Sequence, residues 1–240
     1  MPFAYANALL PKTGPAAFAA GPVDCSLGNK PMSKLLLTAK AFASEAFNAI
    51  CHIWRAGLPH AARAAVITTA SAEWKERNRN AIAAHHALAQ LGFSDPDYID
   101  IEFQAAAQLN DYHLIYISGG NPFYLLYQLK QSGADEVLRK LYCQGVYLIG
   151  CSAGAVVLGP DIRVITYFDT ESNRMGLTDF AAVGIVPFSI LPHVNRLRTQ
   201  YIDFDVRVQN IRRALGHEVV LLADEQSLLL EDGVRYAVGA

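Results

Sequence analysis

Leu148-Ile149-Gly150-Cys151-Ser152-Ala153-Gly154-Ala155 reads as a buried strand that runs directly into the start of an apolar helix, with a serine at the junction. The G-x-S-x-G spacing suits such a junction because strand and helix backbones pass too closely there for side chains on either side. It predicts a strained turn that pushes Ser152 Oγ out of the end of a sheet. The Ala153 amide, at the helix start, would then face any negative charge developing beside that oxygen. The plainer alternative is a tight structural turn in which the serine only caps the helix.

Working outward, short apolar runs recur at Leu35–Thr38, Ala65–Thr69, Tyr98–Phe103, Leu114–Ser118 and Tyr147–Gly150. Helical patterns lie between them at about Phe42–Arg55, Glu73–Leu91, Phe123–Gln131 and Asp135–Cys143. In Glu73–Leu91 the residues Trp74, Ile82, His85, Leu88 and Leu91 share one face, which predicts a long helix ending at Gly92. A polar helix near Arg198–Leu215 and apolar runs at Val219–Ala223 and Leu228–Leu230 follow the junction. Continuous apolar strands alternating with amphipathic helices predict an α/β fold with a doubly wound, mostly parallel sheet covered on both faces. Ligands of such sheets bind at the carboxyl ends of the strands.

The composition agrees. Of the 240 residues 52% are hydrophobic and 18% charged, with a net charge of -2. That balance leaves little material for solvating tails and offers no basic surface for nucleic acid or an anionic membrane. No apolar run approaches the ~18 residues that would span a bilayer. Cys25, Cys51, Cys143 and Cys151 form no CxxC pair and no zinc-type spacing, so they read as scattered thiols of a reducing cytoplasm, with no metal or cofactor expected. Residues 1–31 are rich in proline and glycine without a regular period, and read as a weakly ordered leader or extension ahead of a single domain over 32–240.

A second strand end, Tyr116-Ile117-Ser118-Gly119-Gly120-Asn121-Pro122, allows close backbone approach and leaves amides free to face a ligand, although an ordinary strand-to-helix loop would look the same. A serine nucleophile also needs a base, and the base an orienting acid. Of the seven histidines, His193 stands on a rigid loop after the apolar segment Pro187–Pro192, and His217 is the weaker competitor. Glu225 follows the run Val219–Ala223 at a carboxyl end, with Asp224 beside it and Asp169 beyond the junction helix. Spacing alone leaves these open.

Three motifs, S-G-G-N followed by L-L (Ser118–Asn121, Leu125-Leu126), G-C-S-A-G-A (Gly150–Ala155) and V-P-F-S-I-L-P-H (Val186–His193), together resemble the S51 peptidases, the aspartyl dipeptidase (peptidase E) and cyanophycinase family. A weaker fourth is A-D-E-Q-S-L-L-L (Ala223–Leu230). The resemblance implies a class I glutamine amidotransferase-like sandwich and a serine peptidase acting on small peptides, dipeptides above all, with a preference for N-terminal Asp. It matches the nucleophile to Ser152, the histidine to His193, the acid to Glu225 with Asp169 as the alternative, and the oxyanion hole to the Gly120 and Ala153 amides. Asn121 and Arg196 are the substrate-binding candidates it suggests. The chain departs from the family pattern at Pro122, where a threonine is usual, and at Val194, where an aromatic is common. A monomer or homodimer without cofactor is expected. Two rivals remain at this point: an α/β-hydrolase-type esterase pairing Asp169 or Asp205 with His217, and a non-catalytic small-molecule binder. A thiol enzyme would need cysteine at the centre of the junction, and Cys151 lies one position early.

Overall fold

The structure is a computed structural model that describes residues 33–231 and 233–239; the expected leader lies outside them. Nine strands and eight α-helices alternate along these residues. The sheet is built from β1 (Lys34–Thr38), β2 (Ala64–Ile67), β3 (Asp97–Ile99), β4 (Leu114–Ile117), β5 (Tyr147–Cys151), β8 (Ser227–Glu231) and β9 (Val234–Val238). Its strand order is β3-β2-β4-β5-β1-β8-β9, and β6 (Ser189–Leu191) pairs with β7 (Val219–Leu221) in a separate two-stranded sheet. The five strands from β3 to β1 run parallel, whereas β8 and β9 are antiparallel additions at one edge. The doubly wound α/β reading therefore holds.

The central strands are apolar through their middle positions because both faces are covered. Leu35, Leu37, Ile115, Ile117 and Leu148 enter one core, while Leu36, Leu114, Tyr116 and Ile149 enter the other. Successive side chains of a strand point to opposite faces, so one unbroken run feeds two cores. α1 (Glu45–Ala56), capped by Ser44, and α2 (Arg79–Gln90), capped by Asn78, cover the second core. α3 (Pro122–Ser132) and α4 (Ala134–Cys143) help cover the first, joined by Gly133 in the left-handed region at φ 71°.

Two elements differ from expectation. The long helix predicted from Glu73 begins only at Arg79. Before it, Lys75 takes a left-handed backbone at φ 48°, and Lys75–Arg77 forms a short 3-10 turn. The Lys75 ammonium is drawn to Asp100 at 2.9 Å and to Glu102, partners far along the chain that local periodicity cannot reveal. Trp74 consequently faces outward, 58% exposed, and the face that packs consists of Ala81, Ala84 and Leu88. The predicted polar helix near Arg198–Leu215 is two helices, α7 (Val194–Gln200) and α8 (Phe204–Leu215). Between α4 and α7 lie α5 (Ala153–Val156) and α6 (Arg163–Thr166).

Among the described residues no helix is long and apolar enough to cross a membrane.

Candidate active site

β5 emerges between β4 and β1, and the three strand ends build the site. Ser152 follows β5 directly, with φ 51° and ψ −112°, a backbone conformation that a side chain adopts only under strain. Two contacts hold it there. Its amide donates to the Thr38 carbonyl at 2.8 Å, and its carbonyl accepts the Ala155 and Val156 amides at the start of α5. The glycines of the motif are required by space: a Cβ on Gly154 would stand 2.2 Å from the Ile117 carbonyl oxygen, and one on Gly150 2.8 Å from that of Gly154. The junction thus has the strained geometry expected from its sequence.

β4 brings the Ser118–Asn121 loop against the serine. A Cβ on Gly119 would lie 3.1 Å from Ser152 Cβ, so this glycine is the surface on which the serine side chain rests. At Gly120 the backbone has φ 151°, and a Cβ would meet the Ala70 carbonyl at 2.3 Å. Among the described residues no acceptor takes the Gly120 or Ala153 amide in a hydrogen bond.

His193 stands at the head of α7 in a left-handed conformation, φ 59° and ψ 35°. β6 delivers it, and the Val194 amide is anchored to the Leu222 carbonyl at 3.1 Å. Its Nε2 lies 3.0 Å from Ser152 Oγ, and its Nδ1 lies 2.6 Å from Asp224 Oδ1. The imidazole and carboxylate are partly buried, with side chains 21% and 31% exposed. Both ring nitrogens are therefore engaged along one line from serine to aspartate.

The acid at the histidine is thus Asp224, whereas Glu225 and Asp169 were the expected residues. β6 and β7 pair in parallel with Leu191 opposite Leu221, so the segments that follow them leave side by side. The chain then turns over Ala223–Gln226, closed by the Gln226 amide on the Ala223 carbonyl at 3.0 Å and by Gln226 Oε1 accepting from the Ala223 amide at 3.0 Å. Neighbouring side chains of a tight turn diverge: Asp224 points to His193, and Glu225 is exposed. Asp169 accepts from the Ser172 amide and hydroxyl in its own loop. The only available signal was the D-E pair itself, and choosing between its members requires the turn.

The remaining candidates are placed as follows. Asn121 caps α3, with Oδ1 accepting from the Phe123 and Tyr124 amides, while Nδ2 donates to the Ser172 carbonyl at 2.7 Å. Its side chain thus braces the wall of the site with the groups expected to hold substrate. Arg196 is exposed on α7. His217 pairs with the buried Ser189 hydroxyl at 2.8 Å and Asp205 with Arg198, so the esterase arrangement is not assembled around Ser152. Cys151 packs inward, 7% exposed with Sγ 3.7 Å from the Ala39 carbonyl, and burial raises its pKa. Among the described residues no group of His, Cys, Asp or Glu is gathered as a set of metal ligands.

The family model of Peptidase family S51 matches residues 35–236. An uncharacterised peptidase of Listeria innocua is 36% identical over 126 residues, 50% of this chain and 60% of its own. An uncharacterised peptidase of Pasteurella multocida is 34% identical over 155 residues, 61% of this chain and 74% of its own. The crystal structure of a candidate peptidase E from Listeria monocytogenes EGD-e superposes with a TM-score of 0.69 at 25% identity, covering 87% of this chain and 99% of that one. The chain thus spans about 60% of the length of the first of these curated relatives.

Proposed function

The chain belongs to peptidase family S51, and on that premise we propose that it is a serine peptidase hydrolysing small peptides through Ser152, His193 and Asp224. The observation that carries the reading is the continuous hydrogen-bonded line from Ser152 Oγ through the imidazole to Asp224, at 3.0 and 2.6 Å. A serine that merely capped a helix would have no use for that line, and Ser152 makes no side-chain cap bond to α5.

In the proposed mechanism His193 Nε2 takes the hydroxyl proton as Ser152 Oγ bonds to the scissile carbonyl carbon. The carbonyl oxygen becomes an oxyanion and is received by the Gly120 and Ala153 amides, the latter at the start of α5. As the carbon–nitrogen bond breaks, the imidazolium returns its proton to the leaving amine. Water, deprotonated by the same nitrogen, then attacks the acyl-enzyme and releases the acid and the free serine. Asp224 keeps the Nδ1 proton in place, which leaves Nε2 as the base, and it stabilises the imidazolium between steps. No step calls on a metal or cofactor.

The preference for N-terminal Asp implied by the family resemblance would need a cation at the acyl half of the substrate. Arg196 does not line the cleft beside Gly120, whereas Arg174 does, and the proposal is made for small peptides as a class. The test is labelling by a fluorophosphonate probe alongside hydrolysis of a dipeptide panel. Labelling and turnover lost together in Ser152→Ala are expected. Hydrolysis that persists in that variant would refute the proposal.

A further inference from the structure

A cleft of about 440 Å³ opens beside Gly120, between the Ala70–Trp74 loop, the head of α3 and the Ser172–Met175 segment. His193 is not among its lining residues. That separation identifies which half of a substrate the cleft receives. The leaving amine must take its proton from His193, so it lies on the histidine side of the scissile carbon. The acyl half extends the other way, past the oxyanion donor at Gly120 and into this cleft.

The large apolar residues of its mixed lining are open to solvent. Trp74 is 58% exposed and Met175 40%, and Tyr124 lines the cleft with them. Large apolar side chains held out of a core lose a standing hydration cost when a ligand covers them. The wall is braced: Lys75, next to Trp74, is tied to Asp100 and Glu102, and the Tyr124 hydroxyl donates to Glu102 at 2.6 Å. Trp74 is therefore presented outward by a half-buried ionic network that fixes the segment carrying it.

The charges decide the rest. Glu73 and Arg174 both line the cleft, and among the described residues neither makes an ion pair. The carboxylates beneath it, Asp100 and Glu102, are taken up by Lys75, so the lining itself carries one acid and one base. A substrate α-ammonium can pair with Glu73, and the exposed faces of Trp74 and Met175 are covered better by a bulky apolar side chain than by a short carboxylate.

We infer that this cleft selects peptides whose N-terminal residue has a bulky apolar side chain and a free α-ammonium group. The side chain packs against Trp74, Tyr124 and Met175, and the ammonium is received by Glu73. This rests on the peptidase reading above and adds the substrate class to it.

The test has two independent arms. In the first, kcat/KM is measured for Phe-Ala, Leu-Ala, Ala-Ala and Asp-Ala. Phe-Ala and Leu-Ala are expected to exceed both others by about tenfold or more, the discrimination typical of an apolar pocket. In Trp74→Ala the ratio of Phe-Ala to Ala-Ala is expected to fall about tenfold. Asp-Ala or Ala-Ala as the best substrate, or a ratio unmoved in Trp74→Ala, would overturn the inference while leaving the peptidase reading intact.

The second arm needs no catalysis. In Ser152→Ala the same dipeptides are titrated while tryptophan emission is followed. Of the two tryptophans Trp54 is buried, so the response reports Trp74. Phe-Ala is expected to bind about tenfold more tightly than Asp-Ala. Equal affinities, or tighter Asp-Ala, overturn the inference. If the native protein hydrolyses nothing and Ser152 takes no probe, the peptidase reading falls and this binding arm alone decides the cleft.

Discussion

Replacing Asp224 with Asn tests the acid assignment with almost no change in shape. The carboxylate oxygen lies 2.6 Å from His193 Nδ1, so the charge centres of the imidazolium and the carboxylate are roughly 4 Å apart. At an effective dielectric near 20 that pair is worth about 4 kcal/mol while the imidazole is protonated. At 1.36 kcal/mol per decade this corresponds to about a thousandfold in rate. Partial exposure, 31% at Asp224 and 21% at His193, lets solvent screen the pair and lowers the figure. The Asn amide acts in the opposite direction, because donating to Nδ1 fixes the tautomer whose Nε2 carries the proton and cannot act as base. The expected outcome is a kcat lower by about 10²–10⁴-fold with KM little changed, and a circular dichroism melt close to that of the native protein. Glu225→Gln, on the exposed side of the same turn, is expected to stay within about threefold of the native rate. The reasoning is refuted if Asp224→Asn retains activity within threefold, or if the two variants lose activity equally.

Gly154→Ala would drive a Cβ to 2.2 Å from the Ile117 carbonyl, and a loss of about 3 kcal/mol in urea unfolding is expected; an unchanged midpoint would show that the junction can relax. Asn121→Ala removes the cap of α3 and the tie to Ser172, which should cost about 1–2 kcal/mol by the same measurement, with peptide KM disturbed less than stability. Burial pushes the Cys51 thiol up to about 12, above its value in the unfolded chain. The folded state therefore holds this proton more tightly, and that contribution to stability is complete below pH ~9 and lost as pH rises towards 12. Unfolding free energy should fall by about 1.4 kcal/mol per pH unit per such thiol across that window, less so in Cys51→Ala, and a flat profile would contradict it. Native-state alkylation of Cys51 and Cys151 should be slow at pH 8, and Cys151→Ala should keep its hydrolytic rate, since its buried sulfur contacts the Ala39 carbonyl and not the site.

Much of the site could be read locally. Ser152 is legible because the G-x-S-x-G junction is a short-range steric requirement: two glycines four positions apart either allow strand and helix to cross or do not. His193 is legible for a similar reason, since the apolar segment before it is bounded by Pro187 and Pro192, which stiffen the approach. The parallel sheet was visible in unbroken apolar runs, because strands covered on both faces have no polar side to display. Where reading failed, the deciding partner was distant. The helix predicted from Glu73 is interrupted at Lys75 because Asp100 and Glu102, more than twenty residues on, draw the ammonium inward.

By itself, then, the sequence determined the α/β architecture, the strained serine and the histidine, all properties of periodicity and of a few adjacent residues. Only the tertiary structure decided which of two neighbouring acids serves the histidine. Asp224 and Glu225 carry the same charge one position apart, and no local pattern separates them. Their separation arises from the parallel pairing of β6 with β7 and from the turn closed by Gln226, which aims one side chain at Nδ1 and the other at water. The cleft is likewise a tertiary product: Trp74, Tyr124 and Met175 come from three segments that meet only when the strand ends are assembled.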